Sequence, residues 1–313
     1  MIVTRDMLED SLATLAREIR EPRHGIYGPG SVSWRLAGDV AVFIGGGRAA
    51  LLQLAHPFVA YAIAEHSRTR SDVVGRFQRT FRNVFAITFG ELDAALAAAR
   101  RVHAVHVRIA GVLPERVGGW AAGTPYAAND DATLRWVHAT LVDTVLVVRE
   151  RLDGELPVAI KDAYVVEQNR FARLFGIRDA LLPRSWAEHA AYMERAVASL
   201  AVSPPAREMG AFLVGRGGAR QPALGRIAES ITATLLPRYL ATAFGLADSP
   251  RTTAAVHAAL AAFAPLYRRL PSRAIALPAR SEAVRRIAGK PRSAVAAWSE
   301  RQLFGLAQRT TGA

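Results

Sequence analysis

The chain has 313 residues, 51% of them hydrophobic, with 40 Lys and Arg against 27 Asp and Glu for a formal net charge of +13. It is long enough to bury a large core as one domain or two, and it has no cysteine, which excludes disulfides, Fe–S clusters, thiolate-ligated haem and CxxCH haem attachment. The positive balance suggests anionic partners or surfaces, but the basic residues are spread along the chain without a nucleic-acid motif, so charge alone does not make a DNA or RNA binder.

Residues 4–20 have the spacing of an amphipathic helix that stops at Glu21-Pro22. No apolar core or cleavage site of a leader precedes it, which sets the expectation of a cytoplasmic protein. GIYGPGSVSWRL then reads as a Gly/Pro turn followed by Ser31 or Ser33 as a helix N-cap. Gly45-Gly46-Gly47 breaks the next apolar segment; no Lys-Ser/Thr follows and no GxGxxG is present, so a helix-to-helix turn is expected rather than a phosphate loop. Residues 49–64 form the longest apolar stretch, interrupted by Gln53, His56 and Pro57. That is short for a membrane span and predicts a buried helix interrupted or begun at Pro57.

Helical periods follow over 71–89, 91–110, 132–152 and 157–175, with breaks at Gly90, Pro114–Gly119, Pro125–Asp131 and Gly154–Pro157. Asp130 or Asp131 would cap the third of these helices. Ser185 with Glu188 has capping-box spacing for a helix over 184–200, and further helices are expected near 205–215, 222–245, 250–268 and 281–307. Alternating β-branched runs are nearly absent. The expected fold is all-α, a single multi-helix domain over 1–313, with a core at about 28–203 and a C-terminal helical section at about 204–313.

Leu92, Ala95, Ala99, Val102 and Ile109 recur at helical steps, and His106 sits on their stripe; Leu134, Leu141, Val145 and Val148 form another, and His138 lies on it. A histidine facing a core needs its ring nitrogens satisfied, by a protein hydrogen bond or by a metal. His103 and His106 are three apart and share a helix face, but an isolated HxxH is weak evidence for a metal. Arg76 and Thr80 are four apart and also share a face; together they suit a propionate or another anion, or a plain surface pair. Several enzyme classes fall by absence: no GxSxG elbow, no HExxH, and one ExxH (Glu21 to His24) broken by proline.

GPGSVSWRL, LLQLAHPFVA with the following HS, RFQRT with a later FG, the HVRIAG helix end, PYAANDD and WVHATL together resemble one family. It is the haem-dependent oxygenase family that includes the bacterial latex-clearing rubber oxygenase and the fungal oxygenase of mycophenolic acid biosynthesis. The likeness runs in order from about residue 28 to 200, with more in LLPRYLATAFGL. It implies a globin-like helical core around b-type haem, a histidine as proximal iron ligand, and an Arg-x-x-x-Thr pair in the haem pocket. Carried over, that pair is Arg76 and Thr80. The proximal ligand is His106 by first choice, His138 by second, and His103 by third. The rubber oxygenase also uses a distal glutamate; the matching region offers only Glu65, with His56 as an alternative distal group.

The resemblance further implies O2-dependent cleavage of a C=C bond in a lipophilic, isoprenoid-like molecule, or a monooxygenase or peroxidase-like oxidation at the same haem. A non-catalytic helical binder of haem or lipid is the competing reading. Nucleic acid is not an expected partner. Residues 267–292 alternate Arg and Lys with apolar groups, which suits either a solvated face or peripheral contact with an anionic membrane.

Overall fold

The computed structural model describes residues 1–66, 80, 83–214, 222–246 and 249–294. The first half contains α1 (Arg5–Glu18), α2 (Val32–Ala37), a 3-10 turn (Val40–Gly45), α3 (Gly46–Leu54) and α4 (Pro57–His66). Next come α5 (residues 83–89), α6 (Leu92–His106) and a two-strand antiparallel ribbon, β1 (Ala110–Val112) with β2 (Pro125–Ala127). The rest is helical: α7 (Asp131–Asp153), α8 (Val158–Arg173), α9 (Trp186–Ser199), α10 (Pro204–Leu213), α11 (Pro222–Leu235), α12 (Arg238–Ala243), α13 (Pro250–Arg269), α14 (Ser272–Ile275) and α15 (Pro278–Ile287). The described fold is all-α apart from the ribbon.

α7 is the axis. At 1.5 Å per residue it is about 34 Å long, and it packs against α3, α8, α9, α13 and the 3-10 turn. Trp136, Ala139, Val142, Leu146, Val148 and Leu152 are all buried, so the helix is surrounded instead of presenting one apolar stripe to a core. Asp130 is its cap, its Oδ2 accepting from the Thr133 amide at 2.9 Å, and Gly154 at φ 87° ends it.

The glycine triplet explains how α3 reaches that axis. A Cβ on Gly45 would stand 2.3 Å from Thr144 Cγ2 of α7, and one on Gly47 would stand 2.1 Å from Thr232 Oγ1 of α11. Here glycine serves close helix packing where the 3-10 turn runs into α3.

Two buried ion pairs fasten the same region. Arg48 donates to Asp143 Oδ2 at 2.6 Å, to Thr144 Oγ1 at 2.8 Å and to the Leu235 carbonyl at 2.8 Å. Arg149 donates to Asp39 Oδ2 and to the Leu36 carbonyl, both at 2.6 Å. Their hydrogen bonds are what make buried charge tolerable.

The chain departs from its sequence-based expectations at element ends. α6 stops at His106, and residues expected to continue it turn into β1, whose register pairs Gly111 with Tyr126. The helix expected over 222–245 breaks at Leu236-Pro237 into α11 and α12, because proline carries no amide for the ladder. Ser31, not Ser33, caps α2, accepting from the Trp34 amide at 3.1 Å, and Ser185 caps α9, accepting from Glu188 at 3.2 Å. Helix α10 packs on α3 and α4, and α11 on α3 and α13, so residues beyond 203 share the packing of those before. No helix among the described residues is long and apolar enough to cross a membrane.

Candidate functional site

Helices α3, α5, α7, α8 and α10 enclose a cavity of about 230 Å³, just below the ~300–1,000 Å³ of typical ligand pockets. Leu54, Ile63, Phe85, Leu141, Met209 and Leu213 make its walls apolar. Few polar side chains reach it: Gln53, Thr80, Thr88, His138, Thr144, Tyr164 and Gln168. The α7 stripe of His138, Leu141 and Val145 faces this space.

His138 is buried, and its Nε2 stands 3.0 Å from the Gln168 carbonyl of α8. A carbonyl only accepts, so Nε2 carries the proton and Nδ1 keeps a lone pair. Burial lowers the imidazole pKa from 6.5 to about 4, with a smaller push from His189, against the hydrogen bond to the Gln168 carbonyl. The ring is therefore neutral at physiological pH. Phe171 stacks beside it at 5.9 Å between centroids.

The segment SVSW holds two walls in place. Glu167 accepts from the amides of Val32 at 3.1 Å and Ser33 at 2.7 Å, a carboxylate at the start of α2. Ser33 Oγ accepts from the Gln168 side chain at 3.0 Å, so α2 fixes the stretch of α8 whose carbonyl orients His138. Trp34 donates its indole N–H to the Thr88 carbonyl at 3.1 Å and meets Phe89 edge-on at 5.5 Å, which secures α5. Gln53 of LLQLAHP donates to Thr140 at 3.1 Å. Ser33, Gln53 and Gln168 were not singled out as site residues from the sequence, although the first two lie in the motifs that carry the resemblance.

Behind His138 lies a second neutral imidazole. His189 is buried, and its Nε2 has no hydrogen-bond partner among the described residues and stands 3.9 Å from Asp143 Oδ1. Burial lowers its pKa to about 4 despite that carboxylate, and Arg135 acts in the same direction as burial. Its ring stacks on Trp186 at 5.6 Å.

The structure separates the other expected residues. Thr80 is exposed and lines the same cavity as His138; Arg76 lies outside the described residues. His106 is half-buried on the last turn of α6, between exposed Val105 and Val107, and does not line the cavity. His103 is buried, with Nε2 3.0 Å from the Val3 carbonyl, which ties α6 to the amino-terminal segment. His56 sits between α3 and α4 against Phe58 and Trp120, at 5.1 and 5.2 Å, and burial lowers its pKa to about 4. Glu65 accepts the hydrogen bond of the Tyr126 phenol. Neither His56 nor Glu65 lines the cavity.

Among the described residues no group of three or more His, Cys, Asp or Glu side chains could hold a metal ion. The one imidazole lining this mostly apolar cavity could supply a single ligand to a metal that brought its other ligands with it.

A family model described as ER-bound oxygenase mpaB/B'/Rubber oxygenase, catalytic domain, matches residues 34–269, a span that includes every residue lining the cavity. No curated protein and no solved structure matches the chain.

Proposed function

The chain belongs to the family of the ER-bound oxygenase mpaB/B' and the rubber oxygenase, and from that premise we propose a haem-b-dependent oxygenase that uses O2 on a C=C bond of a lipophilic, isoprenoid-like molecule. The observation that carries the proposal is His138, neutral and buried at a cavity whose walls are mostly apolar. Haem b, when bound, supplies the O2 chemistry that side chains lack. His138 would hold the iron in preference to His106, because of the two only His138 lines the cavity. The Gln168 carbonyl holds the ring and its tautomer, an arrangement typical of ligating histidines. Desolvation keeps the lone pair free of protons at neutral pH.

By the resemblance, Arg76 and Thr80 would help to hold the group, Arg76 as the partner of a propionate. The apolar walls exclude water and select a lipophilic substrate. The cavity of about 230 Å³ is small for a porphyrin, so holding one would require its walls to spread. In the cleavage the C=C bond breaks and each carbon takes one atom of O2, giving two carbonyl groups with no external reductant.

The test is the visible spectrum of protein produced with a haem precursor, with a pyridine haemochrome assay for stoichiometry. Wild type and His106→Ala should hold b-type haem, whereas His138→Ala should lose it while keeping its helical circular dichroism, and added imidazole should restore binding. Loss in His106→Ala alone moves the ligand to that residue, and full retention in both variants refutes the ligand assignment. A second reading, a non-catalytic binder of haem or lipid, draws on the absence of a carboxylate from the cavity lining among the described residues. O2 consumption with an isoprenoid alkene excludes it.

A further inference from the structure

Helix α13 carries two apolar stripes and uses one. Leu260, Ala264 and Tyr267 are buried where the helix packs on α7 and α11. About 100° around the helix, Phe263, Leu266 and Leu270 are 40%, 59% and 40% exposed, and exposed Ala255 and Ala259 extend their line. The spacing of three and four residues puts these side chains on one continuous strip. Isolated surface leucines need no account, but an aligned apolar strip rimmed by charge does.

Along α13 and α14 the chain's charges are of one sign. Residues 249–281 contain five arginines (251, 268, 269, 273 and 280) and no Asp or Glu. Arg268 is partly committed, donating to the Leu152 carbonyl at 2.8 Å. Arg251, Arg269 and Arg273 are exposed, and among the described residues no hydrogen bond or ion pair engages Arg269 or Arg273.

We propose that this face of α13 rests on an anionic lipid bilayer, with Phe263, Leu266 and Leu270 in the headgroup boundary and Arg269 and Arg273 on lipid phosphates and carboxylates. Charge complementarity selects that occupant. A second copy docking symmetrically would set arginine against arginine with no acid to answer it. A nucleic acid would satisfy the arginines and leave the apolar strip in water. A bilayer interface accepts both, which is how amphipathic helices lie in the membrane plane without crossing it. The inference does not depend on haem, and it gives a lipophilic substrate a place to be collected from.

Flotation of the full chain with vesicles tests it. Wild type should float with phosphatidylcholine vesicles containing phosphatidylserine, more weakly as salt rises, and should not float with phosphatidylcholine alone. Each arginine near an anionic surface contributes about five-fold to partitioning, so Arg269→Gln/Arg273→Gln should weaken binding about 25-fold. Leu266→Ser should weaken it at any salt concentration. All these side chains are exposed, so urea midpoints should match wild type and exclude unfolding as the cause. Failure of wild type to bind, or binding by the variants equal to wild type, overturns the proposal. So does a dimer or a duplex-DNA complex that the same substitutions break without affecting vesicle binding.

Discussion

His189→Phe isolates one buried titration. At neutral pH the native imidazole is uncharged, since burial takes its pKa to about 4, and its Nε2 has no partner among the described residues. An unsatisfied buried nitrogen costs about 1–3 kcal/mol, which phenylalanine removes while keeping an aromatic ring against Trp186. The extra ring volume costs about as much again, so the two proteins should agree within about 1 kcal/mol at pH 7. As pH falls below 6.5 the unfolded chain protonates His189 and the native state does not until about 4. Stability is therefore lost with falling pH, at up to about 1.4 kcal/mol per pH unit. At pH 4.5, two units below the ordinary value, the loss from this ring reaches about 2.7 kcal/mol. The variant has no such proton to exclude and keeps that stability, although His138, whose pKa is also lowered to about 4, still weakens it. Urea unfolding at a series of pH values, with constant m-values, measures the difference. Parallel stability curves for wild type and variant would refute the reasoning, because they would mean that His189 protonates equally in both states.

Gly47→Ala would place a Cβ 2.1 Å from Thr232 Oγ1, and should cost about 1–3 kcal/mol by overpacking. Gly47→Ala/Thr232→Ala should recover most of that loss in a double-mutant cycle by urea unfolding, whereas additivity would disprove the close approach. Asp39→Ala would take the closer carboxylate from buried Arg149, leaving Asp153 at 3.6 Å, and remove the Asp39 Oδ1 bond to the Ala41 amide at 3.0 Å. A loss of about 3–5 kcal/mol is expected, read as a lower thermal midpoint; Asp39→Asn, which keeps an acceptor, should lose less.

The existence of the helices was legible because residues 4–20 and 132–152 repeat apolar groups at helical steps over long stretches. Their ends were legible where chemistry marks them, as at Asp130 and Ser185. The ribbon was not legible. β1 and β2 are three residues each, too short for an alternating pattern, and they exist because backbone groups beyond α6 find each other across a turn. The break at Leu236-Pro237 was marked by a proline, yet the apolar period continues on both sides of it and outweighed that mark.

Which histidine faces the cavity was harder, and the reason lies in helical phase. The buried face of α6 runs Leu92, Ala95, Leu96, Ala99, His103, so the apolar stripe read as passing through His106 to Ile109 ends in fact where His103 meets the Val3 carbonyl. His138 lies on a stripe of the same kind, and the sequence alone made it no better a ligand. What separates the two is where their partners stand in space: α8 supplies a carbonyl to one edge of His138, and α3, α5 and α10 leave a space beside it. Periodicity reports that a side chain is buried and says nothing about what it is buried against. The motif segments did better, because Ser33 and Trp34 of SVSW, Gln53 of LLQLAHP, Thr80 of RFQRT and His138 of WVHATL either line this cavity or hold the elements that do. Spread over more than a hundred positions, they have one place in common, and that place is the wall around His138.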